Sequence, residues 1–347
     1  LIPSFPELQK VLAHKDLNEN EMRSAMTKCL DQTVPTYLIA TFLEAERLKR
    51  ESPTENQTCF DIMWSHSQHH TTSCPILIDF ANAYDGMSRN LYLTPFIACL
   101  LASIGFPCIL HGIDEVSPKK GQNPYKLLKL ANKNPLLPPE KVISQLENPD
   151  IGWGYLDQSY SSPTIHSLKE CRTLMVKRPI LATLEKILQP IRSTQTTLII
   201  TSYTHPPYKQ KMTDLFNHTY LSKKTVTKEL LVRGMEGSIQ CDIDRRTPYV
   251  FMDQDKAPTT DFISPKDIGI NEYPRTQPNY DYTEKDSLEA GINALKNTSG
   301  YARDLILYNA FIIITLSGLC SKEDAITKLN TSLRDGIALN HWEKNKN

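Results

Sequence analysis

From Pro75 onward the chain adopts a texture that few folds accommodate. "ILIDF" (76–80) is a short apolar run, a helical stretch covers about residues 91–104, and "PCILHG" forms a second short run. Strand, helix and strand within about 35 residues read as a right-handed βαβ unit, because parallel neighbours need a long crossover between them. Two further strands are expected in "TLIITSY" (197–203) and "ELLVRG" (229–234), with another helical stretch between them. This pattern predicts an α/β fold with a central, mainly parallel sheet flanked by helices.

The flanking regions are helical. In "LNENEMRSAMTKCL" Asn18 is placed to cap a helix, with Glu21 three residues on. "VPTYLIATFLEAERLKRES" repeats the pattern with Pro35 near its start. The polar stretch "ESPTENQTCFDIMWSHSQHHTTSCP" ends this lobe, and its end is a candidate hinge. We therefore expect a helical lobe over residues 1–72, open to joining by later helices, and an α/β lobe over 73–347 that ends in helices. Residues 242–286 are rich in Asp, Pro and Tyr and are expected to be long loops with one strand, "TPYVFM". The apolar "LILYNAFIIITLSGL" is too short to span a membrane and carries Asn309, so it reads as a buried core helix.

Composition excludes little. The chain has 347 residues and no formal net charge, enough for a sizeable core. Its eight cysteines form no C-x-x-C pair, so free thiols in a reducing intracellular compartment are expected, in cytoplasm or an organelle matrix. A chain opening on Leu1 is read as starting at a processed end, as a fragment or at the start of an ordered part. In "SHSQHHTTSC", His66, His69, His70 and Cys74 are ligand types zinc accepts, but no second cluster completes a tetrahedral set. No metal, cofactor or membrane partner is expected.

The turn after the first strand, Ala81-Asn82-Ala83-Tyr84-Asp85-Gly86, occupies the position where many folds hold a phosphate. Such turns usually carry several glycines, and here Gly86 stands alone. Asp85-Gly86 also reads simply as a turn.

Several strings resemble the anthranilate phosphoribosyltransferase-like family (glycosyl transferase family 3). They are "LNENEMRSAMTKCLDQTVPTYLIATFLEAERLKRESPTE", "VKRPILATLEKILQP" and "GYARDLILYNAFIIITLSGLCSKEDAITKLNTSLRDGIAL". The resemblance implies a small helical lobe that mediates homodimerisation, a larger α/β lobe, and a site in the hinge between them. It also implies a grip on phosphoribosyl pyrophosphate, and at those positions this chain departs from the family. The family's G-T-G-G-D-G falls on Ala81–Gly86, so three glycines are replaced and Tyr84 enters. Of its N-x-S-T only Thr94 survives. Its K-H-G-N-R becomes Leu110-His111-Gly112-Ile113-Asp114, and its magnesium-binding Asp-Glu pair becomes Ile239-Gln240 in "RGMEGSIQCD". Asp242 and Asp244 are either recruited instead or simply solvated.

On the acceptor side Arg172 and Arg178 match the family's arginines, while its histidine before Pro163 is Ser162 and its asparagine is Ala182. Candidate ligand-binding residues are thus Asp85, Gly86, Thr94, His111, Gly112, Arg172 and Arg178, with no catalytic residue assigned. Arg172 either binds a ligand or forms an ion pair, and His111 either contacts a ligand or is structural.

This departure implies a divergent branch that has lost the magnesium-dependent transfer and binds a phosphorylated ligand, unspecific nucleic acid or a protein partner. An enzyme with altered substrate and a structural subunit of a larger assembly are the alternatives. Between His166 and Val250 fourteen Lys or Arg face seven Asp or Glu. That excess either forms one basic face or is scattered, and Tyr203, Tyr208, Phe216 and Tyr220 are the aromatics available for base stacking.

Overall fold

The computed structural model describes residues 4–223, 228–253, 256–270, 273 and 282–346. Its N-terminal helices are Pro6–Leu12, Glu19–Leu30, Thr36–Lys49 and Pro53–Ser65. Asn18 and Glu21 form the expected capping box: the Asn18 side chain accepts from the Glu21 amide (3.0 Å), and Glu21 accepts from the Asn18 amide (2.8 Å). Pro35 stands at the N-cap of the third helix.

The polar stretch after Glu51 continues the expected helical lobe. Ser52 caps it through a second box with Glu55, and Cys59, Phe60, Ile62 and Met63 turn inward from the helix that follows. Glu55 is fully buried, and its carboxylate accepts from the Leu17 amide, the Ser52 amide and Lys49 Nζ.

Nine strands are present among the described residues: β1 His70–Thr72, β2 Ile76–Phe80, β3 Cys108–Gly112, β4 Trp153–Asp157, β5 Ile191–Ser193, β6 Thr196–Ser202, β7 Lys228–Val232, β8 Thr247–Asp253 and β9 Thr259–Ile263. The main sheet runs β4-β3-β2-β6-β7-β8-β9. Its first five strands are parallel, with Ile78 opposite Cys108 and Ile200 opposite Leu230, and β8 and β9 add on antiparallel. Parallel strands are covered on both faces, which accounts for their nearly unbroken apolar runs. The helix expected at about 91–104 is Thr94–Ala102, and it packs against β3.

Strand β9 and the 3-10 turn Pro265–Ile268 lie where long loops were expected, and the stretch 274–281 lies outside the described residues. β1 and β5 pair in parallel as a separate two-stranded sheet, so the candidate hinge at the end of "SHSQHHTTSC" is paired backbone.

Two large cores make up most of the interior of the described residues. One joins the N-terminal helices to the segment 165–188, and it reaches one face of β6–β8 through Ile199, Leu231 and Val250. The other lies between the opposite face of the sheet and the helices Glu284–Leu295, Tyr301–Leu316, Lys322–Arg334 and Ile337–Lys344. Asn309 sits buried in the second of these helices. Its side chain accepts from the Cys241 amide (2.7 Å) and donates to the Cys241 carbonyl (2.9 Å), which satisfies an otherwise costly buried amide. No helix of the described residues is long and apolar enough to cross a membrane.

Candidate functional site

In open α/β sheets the carboxyl ends of parallel strands form the crevice where ligands bind. Here the turns leaving β2, β3, β6 and β7 meet at that edge. Gly86 has φ +73°, and a Cβ on it would stand 2.2 Å from the Gln122 carbonyl oxygen. The glycine is required by the antiparallel bridge between Met87 and Gln122, in which each amide donates to the other's carbonyl (2.9 and 2.7 Å).

Asp85 is buried beside it. Arg178 grips its carboxylate with Nε and Nη2, both at 2.9 Å. Such a fork-to-carboxylate contact is the strong form of an ion pair. Lys119 lies 4.0 Å from Asp85 Oδ1 and 4.0 Å from Glu236 Oε2. Its Nζ donates to the Gly86 carbonyl and to the Glu236 carbonyl (2.8 Å). Burial pushes the Lys119 ammonium down to about 8, against the pull of Asp85.

The Glu236 carboxylate in turn accepts from the amides of Ser88 (3.1 Å) and Arg89 (2.9 Å) and from the Asn90 side chain (2.8 Å). Burial raises its pKa, but these bonds outweigh it and hold the carboxyl below the usual range.

Beneath this charged layer lies a buried chain of polar groups. His111 donates through Nε2 to Asp79 (2.8 Å), and its Nδ1 meets the Tyr84 hydroxyl at 2.7 Å. The Tyr84 oxygen also lies 3.4 Å from the Glu185 carbonyl. Arg172 holds the Glu185 carboxylate bidentately, both bonds at 2.7 Å, and Gln158 donates to the same carboxylate (2.9 Å).

The structure thus brings Asp85, Gly86, Arg178 and, through Tyr84, His111 into one neighbourhood. Arg172 sits below it in a buried ion pair. Gly112 ends β3 against the Tyr155 ring, and Thr94 is buried in the first turn of its helix. Sequence reasoning missed Asp79, Lys119 and Glu185. The acid inside the apolar run "ILIDF" was the one available signal, since a charge in a covered strand needs a partner.

The basic excess is largely engaged. Lys169 pairs with Asp114 (2.6 Å), Lys211 with Glu51 (2.9 Å), Lys223 with Asp61 (2.8 Å) and Arg245 with Asp244 (2.5 Å). Arg192 lies over the Trp64 ring, and Arg246 over that of Phe262. Tyr203 and Phe216 are buried, Tyr208 is exposed, and Lys224 and the Tyr220 side chain lie outside the described residues. In the histidine-rich stretch, His69 stacks on Trp64 at 4.0 Å and contacts the carbonyls of Trp64 and Gln189.

Magnesium, which the family implies, does not fit the residues present. Ile239 has no side-chain oxygen to offer. Gln240 is fully buried with both ends of its amide in use, accepting from the Leu93 amide and donating to the Leu91 carbonyl, each at 2.8 Å. Asp244 is held by Arg245, and Asp242 accepts from the Ile243 amide (2.8 Å). A hard dication prefers several free oxygens, with carboxylates foremost. Among the described residues no three His, Cys, Asp or Glu side chains are grouped to hold a metal ion.

Comparison with known proteins agrees with this architecture. The helical bundle domain of the glycosyl transferase family matches residues 6–67. An uncharacterized protein of Aquifex aeolicus is 23% identical over 317 residues, covering 91% of this chain and 93% of its own. Anthranilate phosphoribosyltransferase from the same bacterium is 22% identical over 339 residues, covering 97% and 96%. The crystal structure of anthranilate phosphoribosyltransferase (TrpD) from Thermus thermophilus superposes with a TM-score of 0.74 over 97% of each chain, at 18% identity.

The class is therefore a two-lobed α/β protein with a glycosyl transferase helical bundle. Within that class the chain shares the fold of anthranilate phosphoribosyltransferases and is similar to them in sequence at about 22% identity.

Proposed function

We propose that this chain is a binding protein on a phosphoribosyltransferase frame. It does not carry out magnesium-dependent transfer from phosphoribosyl pyrophosphate to anthranilate, and its cleft takes a phosphorylated ligand. One observation carries the reading: the groups at the β2 turn already engage one another, Asp85 with Arg178, Glu236 with the 88–90 backbone, and Tyr84 with His111. Transfer needs cations and a metal aimed at the departing diphosphate, together worth several kcal/mol. A phosphorylated ligand is favoured over nucleic acid because the solvent-facing cations Arg178 and Arg89 border the cleft, while much of the remaining basic excess is paired.

The test is incubation with phosphoribosyl pyrophosphate, magnesium and anthranilate. No pyrophosphate should be released, and magnesium should add nothing to any rise in melting temperature that the phosphate compound gives alone. Turnover, or a shift that depends on magnesium, overturns the reading.

The helical lobe supports a second element of the proposal, a homodimer. Val11, Leu12, Ala45, Leu48, Leu174 and Val176 border a groove of about 490 Å³. Leu174 and Val176 are each 79% exposed, so one face carries both apolar knobs and a hollow. A two-fold contact requires this self-complementary pairing on one surface.

A further inference from the structure

Arg192 differs from Arg172 and Arg178 in having no acid beside it. It lies on β5 opposite Thr71 of β1 and is half-buried. Its Nε is buried without a hydrogen-bond partner, and among the described residues its side chain takes part in no hydrogen bond or ion pair. Burial alone lowers its pKa, with no charged neighbour contributing. β1 and β5 lead directly into the amino ends of β2 and β6, whereas the cleft lies at the carboxyl ends.

What holds this cation is an aromatic ledge. The guanidinium carbon stands 5.4 Å from the centre of the half-buried Trp64 ring. The His69 ring stacks on the same indole with centroids 4.0 Å apart, and its two nitrogens meet the carbonyls of Gln189 (3.3 Å) and Trp64 (3.2 Å). Burial lowers the His69 pKa, so at neutral pH that ring braces the indole without adding charge. The histidine-rich string, which the cleft does not use, thus helps to build one cation on one aromatic face.

We propose that Arg192 and Trp64 form a docking point for a partner protein, taking an acidic side chain on the guanidinium and an apolar neighbour of that residue on the indole. The argument is charge complementarity. A guanidinium drawn out of water with no counter-charge costs stability, and an incoming carboxylate offsets that cost. A partly exposed ion pair by itself is worth little, so a small free anion gains too little to stay. A protein segment adds the apolar contact, and an arginine resting on a ring can still bond a carboxylate. The lone positive charge suits one carboxylate better than a nucleic-acid strand, which draws on several cations at once.

The test uses the full chain and blocked pentapeptides Gly-Leu-X-Leu-Gly, with X as Glu, Gln or phosphoserine, beside a single-stranded oligothymidylate. Trp64 is the reporter, because Trp153 and Trp342 are buried. The Glu peptide should shield Trp64 from acrylamide at millimolar concentration, and the Gln peptide should bind about fivefold more weakly. Iodide should quench Trp64 more than caesium does. Arg192→Met should remove both contrasts, melt no lower than the unaltered chain, and leave its mass in light scattering unchanged. If that variant fails to fold, the two contrasts in the unaltered chain decide. No protection by the Glu peptide, or equal protection by Gln, would overturn the proposal. So would tighter binding of the phosphoserine peptide or the oligonucleotide, which would assign the point to phosphate, or a smaller mass for Arg192→Met, which would assign it to a second copy.

Discussion

Arg172 and Arg178 lie six residues apart, and each grips a carboxylate with both prongs of its guanidinium, yet they do different work. The Arg172 side chain is 1% exposed and its partner Glu185 is equally buried, whereas the Arg178 side chain is 39% exposed above a buried Asp85. In the first pair both charges are removed from water and neither can be released without leaving the other stranded. In the second, the guanidinium stays partly at the solvent edge. The lesson is that an arginine matched to a ligand-binding position is informative only once its environment is known. The residues between them reinforce the contrast: Leu174 and Val176 point outward as apolar knobs from the same short segment.

The sharpest way to break this comparison is to remove each arginine. Arg172→Met should destabilise the fold by about 3–5 kcal/mol in urea unfolding, because Glu185 is left buried and uncompensated. Arg178→Met should lose only about 1–3 kcal/mol, since Lys119 still faces Asp85. Equal losses would erase the distinction.

Glu46 extends the test to a buried acid without a fork-shaped partner. Its carboxyl is buried, 3.7 Å from Lys49 Nζ, with Glu55 and Glu51 nearby, and burial with the Glu55 charge pushes it up to about 8. The folded state therefore holds a proton that the unfolded chain releases near its ordinary carboxylate pKa. Stability gained from this group is complete at low pH and is lost as pH rises from about 4.5 toward 8. A shift of that size corresponds to a loss on the order of 5 kcal/mol when complete. Glu46→Gln should flatten that slope and melt above the unaltered chain at pH 8.5; identical pH profiles would refute the assignment.

Tyr84 stands between the two arginine pairs. Tyr84→Phe removes its bond to His111 and should lower stability by about 1 kcal/mol, with any melting-temperature rise given by phosphoribosyl pyrophosphate unchanged. A change in phosphate binding would show that the two layers are coupled.

The smallest expected effect on folding is that of Leu174→Glu with Val176→Glu, within about 0.5 kcal/mol for the unpaired chain, because these are surface positions. The same change should convert a dimer to a monomer in light scattering. A chain that is monomeric before substitution would remove the dimer proposal.

Much of the frame was legible in the sequence. The parallel strands announce themselves because a strand covered on both faces carries a short apolar run, as "ILI" in "ILIDF" and "LII" in "TLIITSY". The Asn18–Glu21 box was legible because both partners are local. What stayed hidden was whatever depends on a distant partner. β4, "WGYLD", carries a glycine and an acid, and its strand character comes from pairing with β3. Whether Arg172 served a ligand or the fold turned on Glu185, thirteen residues away with no periodicity to mark it. Lys119 lies in the polar string "SPKKGQN", where nothing distinguishes the lysine that reaches Gly86 and Glu236 from its neighbour.

The side chain of Gln240 has a wider consequence. It is an uncharged brace, accepting a hydrogen bond from the Leu93 amide and donating one to the Leu91 carbonyl of the same loop. Unlike a carboxylate it does not titrate, and unlike an ion pair it is indifferent to salt. The buried loop at Leu91–Leu93 should therefore keep its shape in a chelator, in acid or in brine, whatever the surrounding charges do.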